Sequence, residues 1–512
     1  MSREDVIAVV DFGGQYSHLI GRRVRELGVK SIIVRHNSLD EAVGENIRGW
    51  ILSGGPASVY SPDSPKIDLG KLSARPVLGI CYGLQLIAYS MGGSVRRASK
   101  REYGGKILQV KNNVTLFQGL PESFRVWMSH SDQVESLPAG FVDIGSTDTS
   151  HHAAVMSLDG KLYGVQFHPE VSHTEHGDKI LANFIYRICG CTQSWRMEDY
   201  LERAVADVAK TVGDGRVLCA LSGGIDSAVT ALIVRRAVSD RLTCVFVDHG
   251  LLRKGEAEKT LALLRKTLKL ENIIHIDAAE SFLSKLVGVS DPEEKRRIIG
   301  REFVNVFQEL NETYGPFEFL AQGTLYPDII ESGRSRGPAS RIKTHHNVAG
   351  LPLSLGFKLV EPLRELYKDE VRKLAHLLGM PEEIVKRHPF PGPGLAARII
   401  GEVTAEKLRI CREASSIVEE ELINHGLYDN VWQAFAVVGD DKATGVMGDE
   451  RTVGHIVTVR IVTSKDAMTA DWARIPHEIL DKISKRITNE VDGVTWVTYA
   501  ITAKPPSTIE PQ

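Results

Sequence analysis

Short runs of uninterrupted apolar residues alternate with amphipathic stretches along most of the chain. Val6 to Val10 (VIAVV) reads as a strand buried on both faces, Asp11 to Gln15 as a turn, and Ser17 to Leu27 as a helix. Strands follow at Ser31 to Arg35, Gly49 to Leu52 and Pro76 to Ile80. Such runs, apolar throughout and separated by helical stretches, are the pattern of parallel sheets covered by helices. Trp195 to Val212 carries apolar residues at a spacing of about 3.6 and reads as a connecting helix. The alternation then resumes with strands at Val217 to Leu221, Leu242 to Val247, Asn272 to Asp277 and Phe319 to Gln322. It breaks at His388 to Leu395 (HPFPGPGL), where three prolines forbid a helix and each restrains the residue before it. Beyond lie a helix at Ala405 to Asn424, strand-like runs at Trp432 to Val438, His455 to Ile461 and Val494 to Ile501, and a helix near His477 to Asn489. The expected class is α/β: two doubly wound, mostly parallel-sheet domains over residues 1–195 and 196–387, then a smaller α+β domain over 388–512 suited to dimerisation.

Composition narrows the function classes. With 512 residues, 43% hydrophobic and 25% charged, the chain has ordinary globular proportions and room for about three domains. The 62 basic and 65 acidic residues leave a formal charge of −3, which gives no electrostatic footprint for nucleic acid. No apolar run approaches the roughly 20 residues of a membrane helix, so no membrane partner is expected. Six scattered cysteines and a charged start, Ser2 to Asp5, leading straight into a strand point to a reduced, cytoplasmic enzyme. The lone Cys189-x-Cys191 lacks partners for a metal site and reads as structural.

The first candidate chemistry sits where the strand at Val217 to Leu221 breaks into Ser222-Gly223-Gly224-Ile225-Asp226-Ser227 before a helix. Backbone N–H groups of Ser222, Gly223 and Gly224 can converge at that helix N-terminus, where the dipole favours phosphate oxygens. Asp226 suits a Mg²⁺. The spacing excludes GxxxxGK[ST] and fits a grip on the pyrophosphate of ATP. SGGxDS resembles the signature of the ATP pyrophosphatase family, which cleaves ATP between its α and β phosphates. The resemblance implies that Ser222, Gly223, Gly224, Ile225, Asp226 and Ser227 hold ATP, with an adenosine pocket at Val247, where the next strand ends.

A second constellation lies earlier. Gly79-Ile80-Cys81-Tyr82-Gly83 has the spacing of a nucleophile elbow, in which glycines let the chain turn sharply and lift one side chain above a sheet. The nucleophile is a thiol, and the following helix should favour its thiolate. Gly164 to Glu170 (GVQFHPE) supplies a partner: a strand delivers His168, and Glu170 two residues on can orient its imidazole. Together these runs resemble a class I glutamine amidotransferase domain over nearly all of residues 5–190. The resemblance implies a Cys81–His168–Glu170 triad that hydrolyses the glutamine side-chain amide through a thioester. It also implies an oxyanion hole at Gly55 and Tyr82, each donor contributing roughly 3 kcal/mol, with Gln85 and Ser129 to Asp132 holding the substrate glutamine.

Two cation-rich runs, Asp291 to Gly300 and Ile342 to Val348, would be bland surface charge unless a phosphate-bearing substrate lies near. The Arg334 to Gly350 stretch reads as a loop able to close over ATP. FPGPGLAARIIGE, Arg451 to Val457 and Ala503 to Glu510 (AKPPSTIE), with SGGIDS, GTLYPDIIES and KTHHNV, resemble the glutamine-hydrolysing GMP synthetase family over the whole chain. That resemblance implies XMP, ATP and glutamine as substrates, Mg²⁺ with the ATP, and a homodimer joined through the C-terminal domain. It places XMP or its adenylyl derivative against Arg297, Lys343, Gln433, Lys504 and Glu510. The chain departs from the family at its end, which runs Ile509-Glu510-Pro511-Gln512 in place of Ile-Glu-Trp-Glu. A tRNA-modifying pyrophosphatase would need a basic surface that the charge balance denies, and a regulatory protein with a dead glutaminase would not need an intact triad.

Overall fold

The structure is a computed structural model that describes residues 4–42, 45–72, 75–113, 115–270, 273–329, 356–447, 450–464 and 469–512. It divides into two compact units, Met1–Tyr200 and Leu201–Gln512.

Unit 1 is a nine-stranded sheet in the order β2-β1-β3-β4-β9-β8-β7-β5-β6. Its parallel half consists of β1 (Val6–Asp11), β2 (Lys30–Arg35), β3 (Ile47–Leu52), β4 (Val77–Ile80) and β9 (Leu162–Val165). All six residues of β1 are buried, as a central strand covered on both faces requires. Helix α1 (Ser17–Glu26) leads back to the sheet edge, and α2 (Tyr82–Ser90) starts directly after Cys81. The other half is antiparallel: β5 (Ser94–Val110), β6 (Ser123–Ser136), β7 (Phe141–Ser146) and β8 (Ala154–Ser157). The apolar runs did not disclose this half, because β6 alternates buried and exposed residues as a strand with one wet face does. A short helix, α3 (Gly177–Ala182), follows.

The boundary between units falls inside α4 (Met197–Val212). Unit 2 opens with an all-parallel sheet ordered β12-β11-β10-β13-β14. Its strands are β10 (Val217–Leu221), β11 (Leu242–Asp248), β12 (Ile273–Asp277), β13 (Phe319–Ala321) and β14 (Lys358–Val360). Between them run α5 (Ile225–Val238), α6 (Glu256–Leu268), α7 (Ala279–Lys285) and α8 (Pro292–Tyr314). The Asp291 to Gly300 run is therefore the first part of a long helix: the Asp291 carboxylate accepts from Glu294 N–H at 2.8 Å and proline stands at the first position. Two more helices, α9 (Lys368–Leu377) and α10 (Glu382–Val385), precede the proline-rich connector.

The last part packs α11 (Ala405–Asn424) and α12 (His477–Glu490) on a four-stranded sheet of β15 (Gln433–Met447), β16 (Glu450–Ser464), β17 (Ala470–Trp472) and β18 (Val494–Tyr499). One hydrophobic core runs from Leu218 and Val245 through Ile399 and Cys411 to Val459 and Ile483, so the change of pattern at residue 388 coincides with no break in packing. Burial of that many aliphatic side chains is the main stabilising contribution to unit 2, at about 25 cal/mol per Å² removed from water.

Candidate active sites

The thiol site is built at the carboxyl edge of the parallel half of unit 1. Cys81 follows β4 with φ 53°, the strained conformation of an elbow, and its N–H donates to the Val165 carbonyl at 2.8 Å across to β9. Glycine on either side is a steric demand: a Cβ on Gly83 would collide with the Leu52 carbonyl, and one on Gly79 with the Gly83 backbone. β9 continues into Gln166, Phe167 and His168, which brings the imidazole to the thiol. A Cβ on Gly54 would lie 3.2 Å from the His168 ring and 3.9 Å from Cys81 Cβ, so one loop borders both side chains.

His168 and Glu170 are 3% and 0% exposed, and His168 Nδ1 lies 2.7 Å from Glu170 Oε1. Burial by itself would lower the pKa of His168. The Glu170 charge, the hydrogen bonds to Cys81 and Glu170 and the charge on Cys81 together outweigh it and raise the value to about 10. The imidazolium is thus the favoured form beside Cys81, a proton source for a leaving amine. Gly55 packs against the Tyr82 ring, its Cβ position being 3.2 Å from Tyr82 Cγ, which sets both expected oxyanion-hole residues side by side. Gln85 is buried, and its amide donates to the Asp132 carbonyl at 2.7 Å and to Gln166 Oε1 at 3.3 Å.

Gln166 is a neighbour of Cys81 that the sequence did not single out. Its Nε2 lies 3.7 Å from Cys81 Sγ, which itself lies 3.7 Å from the Ser129 carbonyl. Its position two residues before His168 on the same strand extension was the available signal. His130, in the Ser129 to Asp132 stretch, is buried and paired with the Asp132 carbonyl at 3.0 Å; burial depresses it to about 4, so it is neutral at physiological pH.

In unit 2 the Ser222 to Ser227 loop joins β10 to α5 as the pattern required. Gly223 has φ +75°, and Gly224 caps α5 in an extended conformation, leaving the first N–H groups of the helix without intrahelical partners. The Ser227 hydroxyl braces the loop from within: it accepts from Ser222 N–H at 3.1 Å and donates to the Gly224 carbonyl at 3.1 Å. Val247 stands one residue before the end of β11 and is 8% exposed. Gly323 backs onto Asp226, where a Cβ would fall 3.0 to 3.1 Å from the Asp226 backbone and Cβ.

Asp226 Oδ2 is held by Lys368 Nζ from α9, while Oδ1 is buried and makes no hydrogen bond. Among the described residues no group of three or more His, Cys, Asp or Glu side chains forms a metal cluster. A single carboxylate with a free buried oxygen beside the glycine-rich turn suits Mg²⁺, which takes few protein ligands and completes its shell with phosphate oxygens and water. Lys368 lies in a charged helix start that looks like solvated surface in the sequence, and only the fold brings it to Asp226.

The residues expected at the purine nucleotide separate into groups. Gln433 and Glu510 come together: Gln433 Nε2 donates to Glu510 Oε1 at 2.9 Å and to the Pro389 carbonyl at 2.9 Å. Glu510 is also gripped by both arms of Arg398, each at 3.1 Å, and Arg398 is 1% exposed between the Phe435 and Phe390 rings. Lys504 pairs through its backbone with Ala470. Arg297 lies on the exposed side of α8 and pairs with Glu294 of the same helix. Two residues before it, Lys295 is the member of that run that turns inward, reaching the Ile399 carbonyl at 2.7 Å and Gln512 Oε1 at 2.6 Å. The divergent terminus is therefore anchored at both Glu510 and Gln512. Lys343 and the Arg334 to Gly350 loop lie outside the described residues.

Residues 8–188 match the class-I glutamine amidotransferase family, 196–296 the NAD synthase family, and 420–511 the GMP synthase C terminal domain. The chain is similar to the glutamine-hydrolyzing GMP synthase of Carboxydothermus hydrogenoformans, 52% identical over 98% of this chain and 99% of that protein. It is equally similar to those of Caldanaerobacter subterraneus (51% identical) and Bacillus cereus (52%), each over 99% of both chains.

Proposed function

The chain belongs to the glutamine-hydrolysing GMP synthases and performs glutamine-dependent GMP synthesis, and on that premise we propose which residues carry out each step. Cys81 attacks the side-chain carbonyl of glutamine, with the oxyanion against the N–H groups of Gly55 and Tyr82. His168 gives its proton to the leaving nitrogen, so that ammonia departs and a glutamyl thioester remains. Water then attacks the thioester, losing its proton to His168, and releases glutamate and the Cys81 thiol. Glu170 holds the imidazole in register and stabilises its charged form. The observation that carries this reading is Cys81 at a strained elbow beside a buried His168–Glu170 pair at 2.7 Å.

At the second site the 2-oxygen of XMP attacks the α-phosphorus of ATP and pyrophosphate leaves. Ammonia then displaces AMP from purine C2 to give GMP. The Ser222–Ser227 loop would grip the β and γ phosphates with Val247 beside the adenosine, and Gln433, Lys504, Glu510, Arg297 and Lys343 would serve the XMP side. Asp226 would hold Mg²⁺, which when bound neutralises charge building on the leaving pyrophosphate. Residues 1–195 thus supply ammonia, 196–387 adenylate, and 388–512 complete the XMP site. The exposed side chains Val446, Val453 and Trp496 on the last sheet support a homodimer through that domain. Six free cysteines suit a reducing cytoplasm, and among the described residues no helix is long and apolar enough to cross a membrane.

The deciding assay measures GMP from XMP and MgATP with glutamine or ammonium as nitrogen donor, for wild type and Cys81→Ala. Loss of the glutamine-dependent rate alone supports the division of labour. Equal loss with both donors would refute it.

A further inference from the structure

Arg387, just before the proline-rich connector, reaches back to the phosphate loop. Its Nη1 donates to the Gly223 carbonyl at 3.1 Å and to Thr260 Oγ1 at 3.2 Å, and its Nη2 lies 2.9 Å from Glu256 Oε1. Glu256 and Thr260 lie one turn apart on α6 and are both 4% exposed, so the guanidinium is seated on a buried polar platform. Glu256 is itself fixed by the Arg253 N–H at 2.8 Å.

The consequence is geometric. The 223–224 peptide is planar and trans, so its C=O and N–H point in opposite directions. Pinning the Gly223 oxygen to Arg387 turns the Gly224 N–H away from α6, to the side where it meets Ser222 Oγ at 3.4 Å. The same contact holds Gly223 at its positive φ, on which the orientation of the whole turn into α5 depends. A Cβ at Gly223 would lie 3.1 Å from Thr260 Cγ2 and 3.4 Å from Arg387 Nη1, so the loop rests against this pair.

We propose that Arg387 is a positioning residue for adenylation: anchored by Glu256 and Thr260, it fixes the Gly223 carbonyl so that the loop presents its N–H groups to the pyrophosphate portion of ATP. It acts through the backbone and need not touch the nucleotide. A lysine carries the charge but lacks the fork that spans Gly223, Thr260 and Glu256 together.

This inference rests on the assignment of the Ser222–Ser227 loop to ATP, and the test separates the two. In the full-length protein, ammonia-dependent GMP synthesis gives the KM for MgATP, and calorimetry gives the Kd of inorganic pyrophosphate with Mg²⁺, for wild type, Arg387→Gln, Arg387→Lys and Asp226→Asn. The expected result is a rise of about tenfold in both constants for Arg387→Gln, the loss of one charge-assisted hydrogen bond, with Arg387→Lys in between and the KM for XMP unchanged. If Asp226→Asn shifts the constants and Arg387→Gln lowers only the melting temperature or yield, Arg387 is merely structural and the inference fails. If neither variant moves them, the loop assignment fails as well.

Discussion

Glu170 Oε1 lies 2.7 Å from His168 Nδ1, and Glu170 is wholly buried with its second oxygen unpartnered. A buried carboxylate with one contact depends on the charge of its partner as much as the partner depends on it. Glu170→Gln should therefore lower glutamine-dependent GMP formation by about 10²- to 10⁴-fold while leaving the ammonia-dependent rate intact; steady-state assays with the two donors check it.

The same pair has a pH signature. His168 binds its proton more tightly folded (about 10) than at its ordinary 6.5, so its contribution to stability is complete below pH 6.5 and fades as pH rises towards 10. The stability difference between wild type and Glu170→Gln should shrink across that window. Urea unfolding of both proteins at pH 6.5, 8 and 9.5 measures it, and a constant difference would exclude the pair as the cause.

Gly83→Ala should damage the elbow, because the added carbon meets the Leu52 backbone carbonyl, which cannot swing aside as a side chain can. Overpacking of this kind costs up to about 3 kcal/mol. A lower melting temperature of the unit together with loss of glutamine hydrolysis is expected; wild-type values for both would show that the elbow relaxes.

Arg398 and Glu510 form a forked ion pair in which the cation is buried. Arg398→Gln leaves Glu510 with only the Gln433 amide and should destabilise unit 2 by roughly 3 kcal/mol. The double variant Arg398→Gln/Glu510→Gln should recover part of that loss. Denaturant midpoints of the full cycle test the coupling, which is refuted if the two single changes add.

His388 stacks on Tyr428 at 3.7 Å and bonds its carbonyl at 3.0 Å. Burial lowers it to about 4, so the unfolded chain takes up this proton first as pH falls. Stability is then lost between pH 6.5 and 4. His388→Asn should lose less stability than wild type between pH 7 and pH 5, as followed by urea midpoints.

Several parts of this protein follow from adjacent residues alone. The elbow around Cys81 and the turn at Ser222–Ser227 need only an apolar strand, glycines and a helix start in succession, and their local backbone matches that reading. His168 and Glu170 are two residues apart on one extended segment, so their pairing is also local. Resemblance over the whole chain then supplied the substrates. What the tertiary structure decided are the partners that meet across long separations: Lys368 with Asp226, 142 residues apart; Arg387 with Gly223, 164 apart; Arg398 with Glu510, 112 apart. Lys368 and Arg387 stand in charged stretches that look like solvated surface, and Arg398 stands in an apolar run that does not name its partner. The antiparallel half of the unit 1 sheet escaped notice for a related reason, since alternation along β6 marks one wet face without saying which strand lies beside it. Local conformation is written in neighbouring side chains, whereas partnership between distant charges exists only once the core has closed and brought them within reach.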